Sequence, residues 1–312
     1  MLAAHHHPFI LQGLTRRAKS HPMKFIWLFL LWPLVSEASL MNTLTLYFYR
    51  SPVKLNWSTP GSLTRTTLLS GTKDLLRGQE NIALGHVTVK LECEDGSSLH
   101  TAMTQEDPME SVRLLTSGNI GLGILFHRFS GRLENREEIE RRLERNRNVR
   151  FLKLALSGPT CGRLKDYARE FEAQGHSRYY GLPLRPRKGE GAGCSAFGMS
   201  FLEVAGALQT SPLREASERW SRSLLVPKSL IGTMERRVPL PALALKSSPW
   251  PLRESGTTAP IFFWEPNRMY DWVGEQLLLG AESPWKEITE GRHTGLALDL
   301  RSIPTPTEPF FE

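Results

Sequence analysis

Residues 189–204 read Gly-Glu-Gly-Ala-Gly-Cys-Ser-Ala-Phe-Gly-Met-Ser-Phe-Leu-Glu-Val, and this stretch decides how the 312-residue chain is interpreted. Phe197, Phe201, Val204, Ala205 and Leu208 recur at helical spacing, which predicts an apolar helix opening at Cys194. The glycines ahead of it let another backbone approach closely. A thiol in that place is acidified, because the unpaired N–H groups and the dipole of a helix N-terminus favour the thiolate. The same N–H groups can receive a developing oxyanion. Cys194 is therefore the candidate nucleophile; the bland alternative is a buried cysteine in an Ala/Phe/Met helix.

A nucleophilic thiol needs a base on a rigid neighbour, and Ile82-Ala83-Leu84-Gly85-His86-Val87-Thr88-Val89 offers one. His86 opens a strand expected over His86 to Cys93. The turn Glu94-Asp95-Gly96 leads to a second strand, Ser98 to Gln105, so the pair reads as a β-hairpin. Pairing Cys93 with Ser97 puts Val87, Val89 and Leu91 on one face with Leu99, Thr101 and Met103. His86, Thr88, Lys90 and His100 fall on the opposite, polar face. His100 is the candidate third member, orienting the imidazole, although the register sets Thr104 rather than His100 opposite His86. Gln105 is the rival, able to accept from the imidazole N–H if a bulge flips its parity; a residue outside the hairpin, or a Cys194–His86 dyad with no third member, is the remaining option.

Outward from these motifs, Thr43 to Tyr49 (TLTLYFY) reads as a first strand and Phe151 to Leu156 as another. Arg132 to Asn148 reads as an exposed, charge-dense helix with Glu137–Arg141 and Glu138–Arg142 at i,i+4 and a thin side of Leu133, Ile139 and Leu143. Cys161 to Ala173 reads as a helix closed by Gly175. Twelve of the 21 prolines and five of the eight tryptophans fall in 211–312, which predicts an irregular extension without long helices, packed on the main domain.

The first 38 residues are set apart. Phe25 to Val35 (FIWLFLLWPLV) is an apolar run too short to span a bilayer, preceded by Lys24 and followed by Ser36-Glu37-Ala38. It has the flanks of an export signal cleaved after Ala38, with Met23 the natural initiator; a buried N-terminal helix is the alternative. No stable membrane span is expected after cleavage. Net charge is +7, but Arg16, Arg17, Lys19 and Lys24 face Glu37 alone in this segment, so the remainder is +4. That balance, with no basic stripe interleaved with aromatics, argues against a nucleic-acid partner.

No cofactor or metal is called for. Cys93 and Cys161 have no second Cys/His pair at zinc-ligand spacing, and Gly118 to Gly123 (GNIGLG) lacks the Lys-Ser/Thr ending of a phosphate loop. In an oxidising compartment an odd count of cysteines leaves one thiol over. A Cys93–Cys161 disulfide would leave Cys194 free, and two unlinked packing cysteines are the other option. His127, His176 and His293 read as surface or packing histidines.

At His86-Val87-Thr88-Val89-Lys90-Leu91, Ser98-Leu99-His100 and Cys194-Ser195-Ala196-Phe197, the chain resembles the circularly permuted branch of the papain-like superfamily. That branch includes the lecithin retinol acyltransferase family and permuted relatives of NlpC-type cell-wall endopeptidases. The resemblance covers about residues 80–208. Gly193 stands where the acyltransferases carry asparagine, and Ser195-Ala196 replaces Glu-His. It implies an α+β fold, with an antiparallel sheet packed on the cysteine helix, over 39–210. Residues 211–312 follow as the extension and 1–38 precede as upstream segment and signal. It implies a thiol hydrolase or acyltransferase acting on an amide or ester carbonyl, with Cys194, His86 and His100 catalytic. The substrate would be a peptide or lipid acyl group, cell-wall peptide among the candidates, in a periplasmic or secreted setting. The competing expectation is a non-catalytic envelope or interaction protein on the same scaffold.

Overall fold

The computed structural model describes residues 42–78, 82–233, 235–280 and 284–312, which lie within one unit, Leu40–Glu312. The export signal expected over 1–38 lies outside the described residues. Strand β1 (Thr43–Tyr49) leads to helix α1 (Pro60–Leu76). Thr59 caps that helix by accepting from the Ser62 N–H at 3.0 Å, and Pro60 sits in its first turn, where no N–H is needed. Then come β2 (His86–Glu92), β3 (Ser98–Thr101), β4 (Met103–Gln105), α2 (Pro108–Thr116) and β5 (Phe129–Leu133). Helix α3 (Arg136–Arg145), β6 (Val149–Ala155), α4 (Gly158–Ala173), β7 (Tyr179–Tyr180) and α5 (Cys194–Val204) follow. The rest is α6 (Leu213–Trp220), β8 (Ser221–Pro227), α7 (Leu240–Ala244), β9 (Thr258–Trp264), α8 (Pro266–Leu279), β10 (Lys286–Glu290) and β11 (His293–Asp299).

The main sheet runs β10-β11-β6-β1-β2-β3, antiparallel except for the parallel β6–β11 pair. The class is thus mixed α+β, with antiparallel pairing dominant. Alternation decides the faces. Leu44, Leu46 and Phe48 line up with Val87, Val89 and Leu91 on one side and Leu152 and Leu154 on the other. These residues share one buried cluster with Phe197, Phe201 and Leu202 of α5, Tyr167 and Phe171 of α4, and Trp272 and Val273 of α8. Tyr47, Tyr49, Val149 and Phe151 belong to a second, smaller cluster with Ile82.

Two expectations about elements need correction. The stretch 211–312 is not irregular: it carries helices and strands, and its β10 and β11 extend the main sheet through β6. Its prolines stand where a backbone donor is dispensable, as Pro266 does in the first turn of the 14-residue α8. The second strand of the hairpin is not continuous either. It breaks at Ala102; β3 stays on β2, while β4 leaves to pair with β5 in a small β4-β5-β7 sheet.

Candidate active site

Cys194 and His86 arrive on different elements. His86 begins β2, opposite Tyr49 of β1. Helix α5 lies against that strand because Gly198 gives room: a Cβ there would stand 2.8 Å from Val87 Cγ1. The helix starts at Cys194, with Gly193 at its N-cap and no side-chain cap. The preceding loop reaches it through Gly191, at φ +102, where a Cβ would lie 2.4 Å from the Tyr179 carbonyl oxygen. The Ala192 N–H donates to that same carbonyl at 3.1 Å, and Arg128 stacks over the Tyr179 ring at 3.5 Å. At the helix start, the Ser195 hydroxyl donates to the Trp264 carbonyl at 2.6 Å, so the C-terminal third of the chain also fixes this turn.

These contacts bring Cys194 and His86 together. The groups that act on the Cys194 sulfur and favour its thiolate are the His86 side chain, the Val87 N–H and the Tyr180 hydroxyl. His86 Nε2 is 3.0 Å from Glu134 Oε2, which leaves Nδ1 for the thiol. Cys194 is 6% exposed and His86 1%.

The side chain bonded to His86 on the side away from Cys194 is that of Glu134, and neither His100 nor Gln105 reaches it. The break at Ala102 explains why. Where the second hairpin strand would have continued opposite His86, the chain after β5 enters instead. The Glu134 N–H donates to the Ala102 carbonyl at 2.8 Å, and the Thr101 hydroxyl donates to the Glu134 carbonyl at 3.0 Å. His100 keeps its expected register opposite Lys90, its ring tilted against that of Tyr47 with the centroids 5.7 Å apart. Burial, with the charge of Lys90, pushes its pKa down to about 4, so it is neutral. Gln105 pairs with Gly131, and its amide donates to the Asp107 carbonyl at 2.7 Å.

Glu134 was missed because it sits inside a run of charges that looks self-neutralised. Helix α3 starts later than the periodicity suggested: Asn135 is its N-cap, with Glu138 completing a capping box. Glu138 pairs with Arg132, so Arg142 is released to Glu134, at 2.7 and 2.5 Å. The signal available in sequence was the Asn-x-x-Glu capping box, which would have moved Glu134 off the helix.

The electrostatics follow from burial and charge in opposition. Burial disfavours the charged imidazolium, but the Glu134 carboxylate and the Cys194 thiolate outweigh it and raise His86 to about 9. Burial likewise opposes the thiolate, and His86, the Val87 N–H and the Tyr180 hydroxyl overcome it, so the thiol lies below its ordinary range. Glu134 is held well below the usual carboxylate range: burial opposes ionisation, and His86 and Arg142 outweigh that penalty. For Tyr180, burial and the adjacent sulfur push the phenol far up, so it is a neutral donor. The Cys194 backbone N–H acts on the Tyr180 oxygen in the opposite sense and is outweighed.

Set against family models, curated proteins and solved structures, the chain matches none. Cys93 and Cys161 form a disulfide, leaving Cys194 the free cysteine. Among the described residues no group of three His, Cys, Asp or Glu side chains is arranged to hold a metal ion, and no helix is long and apolar enough to cross a membrane. His127 lies 3.6 Å from Glu110, His176 packs on Phe311, and His293 Nε2 is 3.2 Å from the Leu143 carbonyl oxygen.

Proposed function

We propose that this protein is a cysteine-dependent acyl-group enzyme, a hydrolase or acyltransferase acting on an amide or ester carbonyl, with Cys194, His86 and Glu134 as its catalytic group. The observation that carries the reading is the chain of contacts from thiol to imidazole to buried carboxylate. Such a chain stabilises a thiolate–imidazolium pair and holds the base in one tautomer. The Cys194 thiolate attacks the carbonyl carbon. The oxyanion that forms is met by the Cys194 N–H at the start of α5 and by the Tyr180 O–H beside the sulfur. His86 then gives its proton to the leaving amine or alcohol, and water or a second nucleophile, deprotonated by His86, releases the acyl group from the thioester.

The permuted papain-like assignment belongs to this proposal. Supporting it are the chain order of histidine strand before cysteine helix, the helix starting at the nucleophile, and the antiparallel sheet beneath it. Export to the periplasm or outside the cell belongs here as well, and the Cys93–Cys161 bond supports an oxidising compartment. In that setting peptide amides of the cell wall are the favoured substrate class, ahead of lipid acyl groups.

Labelling with a thiol-reactive probe at pH 6 tests the reading. Cys194 should react, and His86→Ala should lower the rate by about tenfold or more, since the thiolate loses its counter-ion. Equal rates in the two proteins would overturn it.

A further inference from the structure

We propose that Arg142 is a positioning residue that supplies the counter-charge allowing Cys194 to stand as a thiolate inside the protein, acting through Glu134 rather than on substrate. The proposal rests on the Cys194–His86 reading above.

The geometry is specific. Arg142 reaches from α3 into the interior with only 7% of its side chain exposed and meets Glu134, whose side chain is 1% exposed, with both arms of its guanidinium. Eight residues separate the partners, and the capping box of Asn135 and Glu138 fixes the turn between them. Glu134 Oε2 is shared, taking one Arg142 nitrogen at 2.7 Å and His86 Nε2 at 3.0 Å. Arg142 is therefore one carboxylate away from the reacting pair.

Charge counting says what this arrangement does. In the reactive state Cys194 and Glu134 are negative, while His86 and Arg142 are positive, so the buried group is neutral. Without Arg142 it carries a net negative charge in a medium that penalises it heavily, and protonating the sulfur is the nearest relief. Among the described residues the surrounding elements offer no replacement. Tyr49 of β1 presents its ring to both His86 and Arg142. Tyr180 of β7 is a neutral donor. Arg132 and Glu138 bond to each other at 2.8 and 2.9 Å and cancel. The same guanidinium also weakens the hold of Glu134 on the His86 proton, which keeps that proton transferable to a leaving group.

The test is the pH dependence of Cys194 alkylation by iodoacetamide, which needs no substrate. Arg142→Met should move the acidic limb up by about one pH unit, roughly tenfold in rate at pH 6. Arg142→Lys, which keeps the charge, should stay within about 0.3 unit of the parent. The double variant Glu134→Gln/Arg142→Met restores neutrality and should bring the limb back down, a recovery that a merely structural arginine would not give. A limb unmoved in Arg142→Met, or a double variant no better than the single, overturns the proposal. Should Arg142→Met not fold, Glu134→Gln alone decides: it leaves the group too positive and must lower the limb, and an unmoved or raised limb overturns the proposal. The two readings fail differently. If the parent and His86→Ala share one ordinary thiol limb, the Cys194–His86 reading falls; if only the Arg142 variants behave like the parent, that reading stands and this one falls.

Discussion

Reducing the Cys93–Cys161 bond is expected to cost about 4 kcal/mol of stability while leaving the chemistry of Cys194 untouched. The magnitude comes from the sequence separation of 68 residues. Closing a loop of that length removes roughly 15 cal/mol/K from the unfolded chain, or about 4 kcal/mol at 25 °C. Spread over about 270 ordered residues at about 2.1 cal/mol/K each, that shifts the midpoint of thermal unfolding by about 8 °C. The site should not notice. The bond ties the residue just past β2 to the first turn of α4, whereas His86 stands at the other end of the seven-residue β2, about 20 Å away. The assay is urea unfolding followed by tryptophan fluorescence on the oxidised and the fully reduced protein, paired with the alkylation rate of Cys194 against pH. A Cys93→Ala/Cys161→Ala variant checks the same loss, adding about 1–2 kcal/mol for sulfur removed from a buried position. A stability change below about 1 kcal/mol would refute the loop-closure argument. A shifted alkylation profile would refute the independence of the two ends of the strand.

Glu134→Ala should cost about 3–5 kcal/mol of stability in urea unfolding, because it strands a buried guanidinium; His100→Ala, whose ring nitrogens have no hydrogen-bond partner among the described residues, should change the Cys194 alkylation rate less than about twofold. Tyr180→Phe removes one donor from the oxyanion position and should slow acylation by an activated ester on the order of 100-fold, read from the burst of released phenolate. Stability should also fall in acid. The Glu134 pKa is lower folded than unfolded, so its contribution is complete above about pH 4.5 and is lost as pH falls through the folded value; in urea titrations between pH 5 and 2, Glu134→Gln should flatten that slope. Gly191→Ala should destabilise the loop entering α5 by about 1–3 kcal/mol in the same titration at neutral pH, since φ +102 strains an L-residue and its Cβ meets the Tyr179 backbone.

Much of the fold was legible wherever a local pattern carried it. Alternation in Thr43 to Tyr49 marked β1, and the Glu94-Asp95-Gly96 turn set the pairing of β2 with β3, which the Cys93 N–H to Ser97 carbonyl bond at 2.9 Å repeats. Helical spacing after Cys194 marked α5. The C-terminal third was misread because proline density reports where helices begin as well as where they cannot continue, and because β11 has no partner near it in sequence: it pairs with β6, some 140 residues earlier.

The sequence by itself singled out Cys194 and His86, since a cysteine after a glycine loop and a histidine at the head of a strand are local statements about acidity and rigidity. It also set the register that keeps His100 away from His86. Only the tertiary structure decided which carboxylate meets His86. Ala102 has to break the hairpin, β4 has to join β5, and Asn135 has to cap α3 before Glu134 can reach His86 and Arg142. Each of those events is a competition between distant partners for backbone hydrogen bonds or for one buried charge. Which partner wins depends on what else is packed nearby, and a window of sequence does not contain that information.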